Sequence, residues 1–126
     1  MSRVSAFRIL VAIRARSMGH NPDAMKIGLH TRLKPGEEAR YEAYHRAVWP
    51  EVLEGVRAAG ISSYVIFRDG LDLFHYIECE DYDRAIAELA QSPINQRWEA
   101  EMAPMTAVAH DFSGQGTDRM SLIFEL

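Results

Sequence analysis

Hydrophobic and polar positions along the chain change period several times, and each change marks an element. From Met25 onward, Ile27, Leu29, Thr31 and Leu33 alternate with Gly28, His30 and Arg32, the period-two signature of a strand with one buried face. Pro35-Gly36 breaks the run. A helical pattern then extends from Glu37 to Ala59, and Gly60 sits where a helix end favours a left-handed residue. Inside that pattern Pro50 removes a backbone hydrogen bond, so the helix should kink or restart just after Trp49. Ile61–Arg68 reads as a second strand, Asp69-Gly70 as a hairpin turn, and Leu71–Cys79 as the returning strand. Asp81 can cap a helix through Ala90. Ser92-Pro93 then offers an N-cap followed by proline at the first helical position, opening a further piece toward Met102. Ser113–Asp118 is a loop, and Met120–Glu125 reads as a final apolar strand.

The order is β-α-β-β-α-β, an α+β, ferredoxin-like arrangement in which a four-stranded antiparallel sheet carries helices on one face. Its other face is left open, and apolar residues on an open face are costly in water. A homodimer of the dimeric α+β barrel type is expected on that ground.

At about 100° per residue, His45 falls inside the apolar stripe of the first long helix, between Tyr41 and Trp49 one turn to either side. Charged residues such as Arg40, Glu42, Arg46, Glu51, Glu54 and Arg57 occupy the opposite arc. A histidine at that place can be a hydrogen-bonded core residue. It also suits a sugar site, because aromatic faces pack on C–H-rich sugar faces and imidazole titrates near neutrality. Tyr64 stands on a strand beside Val65, Ile66 and Phe67, and Trp98 shares helical spacing with Ile94 and Met102, so packing is a rival reading for both. His30 and His75 alternate on strands without a partner motif and read as structural, Arg97 as a solvated or paired arginine, and Cys79 as a small buried hydrophobe.

Composition narrows the function classes. At 126 residues the chain has room for one domain, and its formal net charge of −4, with both signs interspersed, argues against nucleic acid as a partner. One cysteine permits neither an internal disulfide nor a thiolate zinc cluster, and nothing calls for an oxidising compartment. The five histidines form no H-x-x-x-H pair and there is no glycine-rich phosphate loop, so no metal or other cofactor is expected. Met1–His20 carries four arginines and no acid, and its apolar run Ile9–Ile13 is too short for a signal-peptide core or a membrane span. Residues 1–24 are therefore expected to be a dispensable leader, either a transit peptide or an over-extended start, before a single domain over 25–126.

The run Tyr41-Glu-Ala-Tyr-His45-Arg-Ala-Val-Trp49-Pro50-Glu51, with Tyr64 in the next strand and Gln96-Arg97-Trp98 later, resembles the L-rhamnose mutarotase family across Met25–Leu126. The resemblance implies a cofactor-free, cytoplasmic, homodimeric isomerase with a ferredoxin-like fold. It implies His45 as the proton donor, and Tyr41, Tyr64 and Trp98 as residues that hold the monosaccharide. One position departs from the pattern: rhamnose-type members commonly carry a second tryptophan after Trp98, and here Glu99 follows it. That leaves L-fucose and other 6-deoxyhexoses open as substrates.

Mutarotation removes a proton from the anomeric hydroxyl and delivers one to the ring oxygen, and histidine can serve without heavy tuning. The second proton carrier is open among a tyrosine, a water and a carboxylate such as Glu99. Two other classes compete. Small dimeric α+β barrels that oxidise polyketides or degrade haem share the architecture, and a sugar-sensing module would bind without speeding anomer exchange.

Overall fold

A computed structural model describes residues 23–126. The leader expected over residues 1–24 lies almost wholly outside the described residues. β1 (Met25–Leu33) is followed by α1 (Glu38–His45), α2 (Pro50–Ala58), β2 (Ile61–Asp69) and β3 (Asp72–Cys79). Then come α3 (Tyr82–Gln91), α4 (Pro93–Met102), a 3-10 turn (Ala103–Met105), β4 (Thr106–Val108) and β5 (Arg119–Met120). The strands form one antiparallel sheet in the order β2-β3-β1-β4, with β5 also paired to β1. This is the α+β, ferredoxin-like arrangement.

The alternation read in β1 is the burial observed: Ile27, Leu29, Thr31 and Leu33 are buried. Leu73, His75, Ile77 and Cys79 of β3 point the same way, into the layer covered by the helices. Leu29, Leu33, Leu73, Ile77 and Met105 are fully enclosed, each contributing on the order of 1.5–3 kcal/mol of transfer free energy. Capping follows the sequence. Asp81 accepts from the Arg84 amide and Ser92 from the Asn95 amide, with Pro93 in the first turn of α4. Gly60 has φ +94°, which ends α2 in the left-handed region.

The helical pattern from Glu37 to Ala59 restarts rather than kinks: α1 ends at His45, and Pro50, directly after Trp49, opens α2. Two expectations are corrected. The hairpin turns one residue later than expected: Asp69 pairs with Asp72, so Gly70-Leu71 is the central pair and Gly70 supplies the positive φ of +62°. The fourth strand is not Met120–Glu125. The free edge of β1 is taken near Arg32 and Leu33 by β4 and near Gly28 and Leu29 by β5, and the chain from Ser121 runs on unpaired.

Candidate active site

Between the helices and the covered face of the sheet lies a cavity of about 620 Å³, within the size range of small-molecule sites. Tyr41, His45, Trp98 and Glu99 line it from α1 and α4, and Thr31, Tyr64 and His75 from the sheet.

The helical wall is built by ring packing. His45 ends α1 and stacks on Tyr41, one turn earlier, with ring centroids 4.2 Å apart. Trp98 meets His45 edge-on at 5.5 Å and is itself edged by Trp49 at 5.1 Å and Tyr44 at 5.9 Å. Trp49 therefore buttresses Trp98 rather than extending the Tyr41–His45 row. His45 Nδ1 is 2.9 Å from the Tyr41 carbonyl. A carbonyl only accepts, so neutral His45 carries its hydrogen on Nδ1 and leaves the Nε2 lone pair for the cavity. Burial lowers the His45 pKa, and the bond to the Tyr41 carbonyl offsets part of that effect. Burial also raises the Tyr41 hydroxyl, with Glu99 adding to it, so Tyr41 stays a donor.

The sheet wall is built by hydrogen bonds. A bulge between Ile61 and Ser63 shifts the register of β2 against β3, so that Tyr64 and Ile66, not Ser63 and Val65, turn to the cavity. Tyr64 as a residue is 37% exposed, yet its hydroxyl is enclosed, 3.1 Å from His75 Nδ1. His75 Nε2 lies 2.9 Å from the Thr31 hydroxyl. Burial, and after it the neighbouring His110, hold the His75 pKa down to about 4, so the ring is neutral near pH 7. His110 comes from the loop after β4. Its Nδ1 is 2.9 Å from the Asp118 carboxylate, and the Asp118 carbonyl accepts from the His30 amide of β1.

All four residues singled out from the sequence, His45, Tyr41, Tyr64 and Trp98, border this one cavity. Trp98 is at once a core residue and a wall, which answers its rival reading. Glu99 faces the cavity rather than solvent, and burial raises its carboxyl pKa, with His110 working against that. His75, read as structural from the sequence, also borders the cavity. Its only advance signal was its phase, since it shares alternation with Leu73 and Ile77 on the buried side of β3. His30 falls on the opposite face, paired with Asp72 and stacked on Phe74. Arg97 lies over the Trp49 ring at 5.7 Å, and Cys79 is a buried free thiol. Among the described residues, no group of three or more His, Cys, Asp and Glu side chains stands so as to hold a metal ion.

The model of the family described as L-rhamnose mutarotase matches residues 26–126. The chain belongs to the L-rhamnose mutarotase family. The L-rhamnose mutarotase of Burkholderia orbicola is 40% identical over 87 residues, 68% of this chain and 83% of that protein. That of Listeria monocytogenes is 40% identical over 78 residues, 58% of this chain and 71% of its own. The crystal structure of an L-rhamnose mutarotase from Formosa agariphila superposes with a TM-score of 0.67 at 24% identity, covering 81% of this chain and 98% of that one. Tetracenomycin F2 cyclase from Streptomyces glaucescens, a type II polyketide cyclase, superposes at 0.57 and 18% identity over 82% and 97%. These two likenesses establish the fold, which this chain shares with both neighbours.

Proposed function

We propose that this protein is an isomerase that interconverts the α and β anomers of L-rhamnose by opening and reclosing the sugar ring. The observation that carries the reading is His45 at the cavity wall with Nδ1 committed to a carbonyl and Nε2 left free. In this reading Nε2 first accepts, taking the proton of the anomeric hydroxyl as the bond from C1 to the ring oxygen breaks, and it acts as the donor that the resemblance implies when the ring recloses. The open aldehyde turns about its C1–C2 bond, and reclosure on the other face returns the proton. Tyr41 and Tyr64 offer hydroxyls to the sugar, and Trp98 gives an apolar surface for its C–H-rich side. Glu99, facing the cavity, accepts from a sugar hydroxyl where an aromatic side chain would stack.

The sheet's open face supports a homodimer. Phe67 is 63% exposed there, and Val65, Phe74 and Met120 are also uncovered, an apolar surface whose burial against a second copy would be favourable. No helix among the described residues is long and apolar enough to cross a membrane, and the lone buried thiol of Cys79 suits the reducing cytoplasm as the working compartment. The first element among the described residues, β1, starts at Met25, which supports a single domain over 25–126.

Saturation-transfer NMR on the anomeric protons of L-rhamnose, L-fucose, D-galactose and D-glucose tests the reading. Exchange of L-rhamnose should be fastest, and Glu99→Trp should change the order of the other sugars, since groups left unpaired discriminate by about 10⁴ or more and apolar contacts by about 10–200-fold. A preference for L-fucose would overturn the rhamnose assignment, and no acceleration of any sugar would overturn the reaction.

A further inference from the structure

We propose that the Tyr64 hydroxyl is the second proton-transfer group, donating to the ring oxygen while His45 takes the anomeric proton, and that His75, backed by Thr31, positions Tyr64 for this. The proposal rests on the mutarotase reading above and adds the half of the proton ledger that His45 leaves unfilled.

The geometry is a three-membered chain: Thr31 Oγ1, His75 Nε2 at 2.9 Å, then His75 Nδ1 and the Tyr64 hydroxyl at 3.1 Å. A neutral imidazole has one N–H and one lone pair, so the chain runs in one of two directions. Either Tyr64 donates to Nδ1 and Nε2–H donates to Thr31, or Thr31 donates to Nε2 and Nδ1–H donates to Tyr64. A sugar ring oxygen has lone pairs and no hydrogen, so it can only accept. A ring oxygen placed on Tyr64 therefore selects the second direction, with the phenol hydrogen aimed into the cavity and Nδ1–H behind the phenol oxygen.

The step balances without any further reactant. As the C1–ring oxygen bond breaks, its electron pair goes to the ring oxygen, which takes the Tyr64 proton, and the anomeric O–H proton goes to His45 Nε2. The charge left on the Tyr64 oxygen is stabilised by the His75 Nδ1–H bond. On reclosure the ring hydroxyl returns its proton to Tyr64 and His45 returns its own to the anomeric oxygen. Burial, with Tyr41 and Glu99 nearby, raises the Tyr64 hydroxyl well above its ordinary pKa, so the proton stays on Tyr64 until negative charge develops opposite it.

The remaining polar groups at the cavity are less suited. Tyr41 stacks on His45, on the same wall as the base, and among the described residues no side chain hydrogen-bonds its hydroxyl from behind. Asn95 donates its side-chain amide to the Leu89 carbonyl and Thr106 its hydroxyl to the Ala103 carbonyl. His110 faces Asp118. Glu99 borders the cavity and makes no hydrogen bond to another described residue that would set the direction of a proton, which suits hydroxyl binding.

The test is a double-mutant cycle on the full chain, with L-rhamnose exchange followed by saturation-transfer NMR. Tyr64→Phe should lower kcat about 10²–10⁴-fold with KM changed little. His75→Gln should lower kcat about tenfold, and in the Tyr64→Phe background it should cost nothing more, because His75 acts through the phenol. Thr31→Val, a milder change, should show a smaller loss that also vanishes in that background, and it serves if His75→Gln does not fold. In the wild type saturated with L-rhamnose, 15N shifts of His75 should show Nδ1 protonated and Nε2 bare. A wild-type rate in Tyr64→Phe, losses that multiply in the double variant, or the Nε2–H tautomer with sugar bound would each overturn the proposal while leaving the mutarotase reading standing. A wild type that does not accelerate exchange overturns that reading and this proposal with it.

Discussion

The helical wall of the cavity presents Tyr41, His45 and Trp98 as packed rings, whereas the sheet wall presents Thr31, His75 and Tyr64 as a chain of hydrogen bonds. On the helical side one hydrogen bond orients His45 and leaves its other nitrogen free, so the wall supplies a titratable base held by apolar contact. On the sheet side each of the three groups is tied to the next, and direction rather than charge is what the wall controls. A reaction that needs one proton taken and one given can use both kinds of wall. The difference also predicts that the two walls fail differently when cut.

The largest effect on stability is expected on the helical side. Trp98 is buried and touches His45, Trp49 and Tyr44 by its edges and faces, so Trp98→Ala should cost about 3–5 kcal/mol. Tyr64→Phe removes one hydrogen bond from a partly exposed ring and should cost only about 0.5–1.5 kcal/mol. Urea unfolding of both variants compares them directly. Similar losses would erase the contrast between ring packing and hydrogen bonding.

Acid should act next in size, and mostly through the sheet wall. The folded-state pKa of His75 is depressed to about 4 from the usual 6.5, so between those values the unfolded chain binds more protons than the folded one. Stability therefore rises with pH through that window, and falling from pH 6.5 to 4 should remove about 3 kcal/mol through this residue. The lowered pKa of His45 adds a smaller loss of the same sign. Urea midpoints from pH 7 to 4 should fall less steeply in His75→Gln than in the wild type, and parallel curves would show that His75 does not titrate as its burial requires.

How much of this was legible in the sequence follows the same division. The helical wall was readable because Tyr41 and His45 share one stripe of a 3.6-residue period, Ser92-Pro93 marks the start of the helix that carries Trp98, and the family-like run around His45 singles these residues out. The sheet wall was readable only in part. The alternation of β1 placed Thr31 on the buried side, but the phase of β3 was not read, and pairing of His75 with Tyr64 depends on the bulge after Ile61, where a one-residue bulge inverts the phase of a strand without a composition signal. The fourth strand was misplaced for a related reason. Leu122, Ile123 and Phe124 read as apolar strand, yet they are exposed, while the three residues of β4 are too few to show a period.

The smallest effect is expected from the segment outside both walls. Removing Met1–Ala24 should leave anomer exchange unchanged and stability within about 0.5 kcal/mol, because every element described begins at or after Met25. Light scattering and saturation transfer on the truncated protein check it, and a loss of dimer mass or of activity would assign the segment a role in the fold.

The account stands most directly on His45, whose free Nε2 is the proposed base of the helical wall. His45→Asn keeps a polar side chain of similar reach but cannot shuttle a proton near neutrality. Measured by saturation transfer on L-rhamnose, with circular dichroism confirming the fold, it should lose about 10²–10⁴-fold in catalysed exchange. Exchange at the wild-type rate in a folded His45→Asn protein would contradict the account.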